Sequence, residues 1–189
     1  AVLLAMGASA GLTLASPLWA QNAPAELPAA LTQAIALHDA AVAGDEDAAS
    51  AALEALADLV SAEPDNAVAL AYLGSTHAVI ARDAFNVVSK MSNTNKGLRN
   101  LDKALELAPH DVTVRMVRAN VNWNLPEMFG RRALAVEDMI ALDQMFRAAP
   151  RPPLARAMQQ IYPRLNEAAA GQGDWDGGAA LASQVAAGG

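Results

Sequence analysis

The chain reads as all-α, built from antiparallel helix pairs, and three observations predict this. Apolar residues recur at i, i+3 and i+4, as in Leu53, Leu56, Leu59 and Val60, which is the stripe of a helix packed on one side. Aromatics make up only 4% of a chain that is 53% hydrophobic, so alanine carries much of the apolar content and the helices can approach closely. The β-branched and aromatic runs, broken by turns every 8–12 residues or so, that mark a β-sandwich are missing. A length of 189 residues allows one core that buries about two thirds of the unfolded surface.

The opening stretch, AVLLAMGASAGLTLASPLWAQNAP, carries no charge and reaches a helix breaker, Pro17, and then a small residue, Ala20. That order predicts a secretory signal peptide over 1–20, cut after Ala20, in a chain truncated at its start since the basic first region is missing. A membrane anchor is the alternative, weakened by Gly7, Ser9, Gly11, Ser16 and Pro17. The expected location is periplasmic or secreted. With no cysteine, neither a disulfide nor thiolate chemistry is open to it.

Residues 21–27 read as a linker, 28–170 as the helical domain, and 171–189 as a terminal turn, a short helix and a flexible tail. The first helix spans about 28–42 and ends at Gly44; Asp45 and Asp47 suit the start of the second, about 46–62. Pro64 stops that one, and a long third helix runs from 67 to about 89. MSNTNKG, 91–97, predicts a break, because Asn, Ser and Thr favour caps and turns. The fourth helix is expected over 96–107, closed by Pro109, and the fifth over 111–123. Asn124 and Pro126 read as cap and first-turn proline of a sixth, 126–148. Pro150, Pro152 and Pro153 stop it and start a seventh, which Pro163 should kink or end.

Two turns nearly repeat: LADLVSAEPDN at 56–66 and LDKALELAPHD at 101–111. AYLGSTHA, 71–78, sets an apolar residue before a glycine and a ring three positions on; GLRNLDKALELAP, 97–109, places small Gly97, bulky Leu101, small Ala104 and Pro109 in order. GDWDGGAAL, 173–181, has the form of a turn with Trp175 in the aromatic position. These motifs resemble the tetratricopeptide repeat family, whose unit is a helix–turn–helix of about 34 residues. The best unit here is longer by about eleven residues, over 83–96. Alignment of the two turns also sets Arg115 and Arg118 where the family packs hydrocarbons. The resemblance implies a short right-handed solenoid whose groove is lined by first helices, hence by Tyr72, Ser75, Val79, Met116 and Asn120.

Residues 1–81 hold nine acids and no Lys or Arg, while all thirteen bases fall within 82–164. The contrast suits attraction between the two regions, an anionic partner at the basic one, or simple solvation of helix faces. The overall charge of −7 argues against nucleic acid. Arg115, Arg118, Arg131 and Arg132 surround Asn120, Asn122 and Trp123, and planar guanidiniums bind carboxylates and phosphates bidentately. Internal bridges to Asp83, Glu137 or Asp138 are the competing reading.

His38, His77 and His110 lack a ligand-like spacing, so no metal is expected, and DWDG at 174–177 lacks the rest of a calcium loop. The methionines at helical spacing read as core filler. No nucleophile elbow, phosphate loop or dinucleotide fingerprint is present, and the expectation is neither an enzyme nor a cofactor protein. The functional expectation is an exported adaptor that binds a protein or peptide, acidic in one version. A helical binder of small organic anions, using the Arg/Asn/Trp cluster, is the alternative.

Overall fold

A computed structural model describes residues 27–188; the leader expected over 1–20 and most of the 21–27 linker lie outside the described residues. Among the described residues the architecture is all-α: α1 Ala29–Val42, α2 Glu46–Ala62, α3 Ala67–Asp83, α4 Val87–Leu107, α5 Val112–Asn124, α6 Arg132–Ala148, α7 Pro152–Ala168 and α8 Trp175–Ala187. No helix among them is long and apolar enough to cross a membrane. Each odd-numbered helix packs against the helix after it, and α3 also touches α1, α2 and α5.

The starts of the helices follow directly from local chemistry. Asp45, Asn66, Asn86, Asp111 and Asp174 each accept a hydrogen bond from the backbone N–H three residues on, satisfying a donor that the first turn leaves open. The two similar turns end their helices alike: Glu63 and Ala108, each followed by proline, sit at φ −131° and −137° with ψ 78° and 69°. Proline's ring excludes the helical conformation from the residue before it.

Three expected boundaries are corrected. The 91–97 segment does not break a helix; the break falls at 84–86, and α4 runs through MSNTNKG. Asn86 supplies the cap, and the polar residues inside α4 find partners there: Asn93 Nδ2 donates to the Ser89 carbonyl at 3.1 Å and Asn93 Oδ1 lies 3.0 Å from His77 Nδ1 on α3. Gly97 is helical because α3 needs it, as shown below. The second correction lies at 124–130, where α5 keeps Asn124, and Pro126 opens only a single 3-10 turn, Glu127–Phe129. Gly130, at φ +64°, turns the chain into α6 at Arg132. Third, of the kink or end expected at Pro163, the end is excluded: α7 continues to Ala168, with the buried Ile161, Tyr162 and Leu165 on either side of the proline.

The closest approach is a glycine contact between α3 and α4. A Cβ placed on Gly97 would lie 2.6 Å from the Gly74 carbonyl oxygen, and one on Gly74 would lie 2.8 Å from the Gly97 oxygen. Around it the core is small: Ala34, Ala52, Leu56, Ala69, Ala71 and Ala104 are fully enclosed. Between α5 and α8 the core instead holds Met139, Phe146, Met158, Tyr162 and Trp175. Residues 175–187, expected as a short helix and tail, form α8 on this core, with the Trp175 indole N–H donating to the Ala169 carbonyl at 2.8 Å.

Candidate binding groove

Helices α1, α3 and α5, with the start of α4 and the 124–129 connection, surround a cavity of about 1070 Å³. Of the expected groove residues, Tyr72, Ser75 and Val79 from α3 and Met116 and Asn120 from α5 all line it. They meet because the residues are three or four apart on each helix and so share a face. Val42, Val87, Met91, Val117, Val121 and Met128 add apolar wall. Val87 and Met128 are 74% and 79% exposed, so the mouth presents hydrocarbon to solvent. Phe85, wholly exposed, lies just before Val87 in the chain.

The polar floor comes from a residue whose role the sequence hid. His38 on α1 is buried; its Nε2 lies 2.8 Å from Ser75 Oγ and its Nδ1 3.1 Å from Asp39 Oδ1, and its ring meets Tyr72 edge-on at 5.1 Å. Burial, and then the Asp39 charge, push the Tyr72 phenol above its usual range, so it stays a neutral donor. A serine, an imidazole and a carboxylate in line resemble the parts of an acyl-transfer site. Ser75, however, sits in mid-α3, where the helix occupies the backbone N–H groups that would form an oxyanion hole. The three groups therefore tie α1 to α3 and give the cavity a directional hydrogen-bonding patch. The only sequence signal for His38 was its place on the apolar face of the first helix.

The arginines go elsewhere. Asp138 on α6, fully buried, accepts from Arg115 Nη1 at 2.8 Å and Arg118 Nη1 at 2.6 Å. Asp102 on α4 accepts from Arg118 Nε at 3.1 Å and from Arg131, whose Nε also donates to Asn122 Oδ1 at 3.0 Å. Arg115, Arg118 and Arg131 thus sit outside the cavity lining, with their donors on the protein's own carboxylates: the internal bridges that competed with a ligand role. Asp138 was among the named partners. Asp102 was not, because nothing local in LDKAL marks it, while Asp83 pairs with its neighbour Arg82 instead. Burial works against ionisation of Asp102, but Arg131 and Arg118 prevail and hold its carboxyl below the usual range. At Asp138, burial dominates and pushes the carboxyl up despite both arginines. The ion pairs of the basic region are therefore internal to it, and its positive excess persists: among the described residues no ion pair joins 27–81 to 82–164.

Arg132 and Trp123, also expected at the site, form a different arrangement. The Arg132 guanidinium lies 3.9 Å from the centre of the Trp123 ring, and Arg164 of α7, which the sequence did not single out, lies 5.6 Å from it. Arg164 donates to Asn120 Oδ1 at 2.8 Å, linking this cluster to the cavity wall. Asn122 Nδ2, by contrast, is buried with no hydrogen-bond partner among the described residues.

Among the described residues, no three His, Asp or Glu side chains converge to hold a metal ion. Fold and site together define an all-α protein with one large, mainly apolar, open-mouthed groove. Comparison with protein families, characterised proteins and solved structures yields no match.

Proposed function

We propose that this chain is a TPR-like binding protein that receives an extended or helical protein segment in the groove between α1, α3 and α5, serving as an exported adaptor. The observation that carries this reading is the cavity of about 1070 Å³ with an apolar wall, an exposed apolar rim and a short polar floor. Such a groove suits a segment that inserts two or three hydrocarbon side chains and sets a backbone or polar group against His38 and Ser75. Tyr72 and Met116 would be the main anchors, one rigid and one adaptable. No catalytic role is proposed.

A random-peptide display selection against the full chain tests this. Apolar-anchored peptides should be enriched, and Val79→Arg or Met116→Arg should abolish their binding while far-ultraviolet dichroism stays helical. Selected peptides that bind these variants as well as the parent would remove the groove from the reading. The Arg132–Trp123–Arg164 cluster keeps a second reading open, a binder of small organic anions. A melting-temperature screen with organic acids, in which large shifts appear without any peptide binding, would favour it over the adaptor.

A further inference from the structure

Arg132 and Arg164 differ from the arginines whose charge a carboxylate cancels. Arg115, Arg118 and Arg131 each meet a carboxylate, and Arg147 meets Asp143. Arg132 and Arg164 make no ion pair among the described residues, although both guanidiniums gather over one indole. Burial, and then the charge of Arg132, lower the basicity of Arg164, as expected for a partly buried cation beside a like charge. Cation–π attraction to Trp123 stabilises each cation but leaves the net charge uncancelled. Arg132 is also the first residue of α6, and that helix has no side-chain N-cap, so its positive end adds to the same field.

Three elements build this cluster: Trp123 and Asn120 one turn apart on α5, Arg132 at the start of α6, and Arg164 on α7. Asn120 belongs to the groove wall and accepts from Arg164, so the cationic cluster, although outside the cavity lining, adjoins the groove at that residue. We propose that Arg132 and Arg164, held over Trp123, form an anion subsite next to Asn120 at the α5 wall of the groove and receive a side-chain carboxylate of the bound protein segment. This rests on the groove reading above. It specifies the partner as an apolar anchor followed, along the groove, by Asp or Glu. An arriving carboxylate would relieve the repulsion between the two cations and accept hydrogen bonds from both planar forks.

Two arms, both on the full chain at low salt, test the subsite and its source of anions separately. In the first, citrate is titrated while melting temperature is followed; the parent should gain stability and Arg132→Gln/Arg164→Gln should gain markedly less. Neither substitution leaves a carboxylate unpaired, so the variant should remain folded, and Arg132→Lys should retain part of the effect. An equal citrate shift in parent and double variant overturns the subsite, whether or not peptides bind the groove. In the second arm, fluorescein-labelled Leu-Leu-Met-Leu-Glu-Glu-Glu is compared with its Gln-Gln-Gln version by anisotropy. The glutamate peptide should bind about tenfold more tightly, and the double variant should lose that ratio while still binding both. A citrate effect with equal affinity for the two peptides overturns the protein-segment assignment in favour of free organic acids. Failure of both peptides to bind overturns it too, and marks the groove reading as the part that failed.

Discussion

From α1 to α4 the buried positions are mostly alanine, leucine and glycine, and the tightest point is Gly74 against Gly97; from α5 to α8 they include Phe146, Tyr162, Trp175 and buried carboxylates held by arginine. The first region gains stability by bringing backbones together, which multiplies weak dispersion contacts. The second fills its interior with rings and satisfies the polar groups this traps with hydrogen-bonded ion pairs. The contrast shows why the groove lies where it does. Small side chains on α1 and α3 leave room beside them, and side chains of α4, α5 and the 124–129 connection line the rest of the cavity. The two regions should therefore fail differently when altered.

The largest effect is expected at Asp138. Asp138→Ala leaves the Arg115 and Arg118 guanidiniums without their buried partner and should cost about 3–5 kcal/mol by chemical denaturation, whereas Arg118→Leu/Asp138→Leu should cost less than Asp138→Ala alone. Equal losses would show that the second region does not depend on its ion pairs. Next come Gly74→Ala and Gly97→Ala, which force the α3 and α4 backbones apart and should each cost about 1–3 kcal/mol. A stabilising outcome, as for alanine in an open helix, would mean the close approach is not what holds the first region together.

A smaller effect, common to both regions, is expected at the caps. Asp111→Ala removes the acceptor for the Val114 N–H and should lower stability by about 1 kcal/mol, as should Asp45→Ala in the first region. The subtlest concerns acid. Because the folded pKa of Asp102 is depressed, its contribution is fully present above about pH 4, the ordinary carboxylate value, and declines as pH falls through the lower folded value. The melting-temperature gap between the parent and Asp102→Asn should thus be steady from pH 7 to pH 5 and close toward pH 2. A gap that persists in strong acid would assign Asp102 a packing role alone.

Much of the fold was legible. Pro64-Asp65-Asn66 and Pro109-His110-Asp111 announce a stop and a cap within three residues, and the structure places Asn66 and Asp111 as the caps. The groove residues Tyr72, Ser75, Val79, Met116 and Asn120 came from a family resemblance, and they share one cavity because helical spacing fixes which side chains lie together. MSNTNKG misled because its preference for turns is real in isolation, whereas in the fold His77 partners Asn93 and Gly74 receives Gly97. The arginines were legible in part, since internal bridges with Asp138 among the partners were expected beside a clamp. Arg115 and Arg118 have the chemistry of a clamp, and only the arrival of Asp138 and Asp102 from other helices, 20 and 16 residues away, decides that they act internally.

The sequence by itself determined where each helix begins and ends to within a turn at most sites, because caps, prolines and apolar periodicity act over three or four residues. Tertiary structure decided which charges cancel, which glycines touch, that His38 lines the groove, and that Arg164 reaches Asn120 in its wall. Those outcomes depend on distances between residues far apart in the chain, and no local propensity encodes such distances.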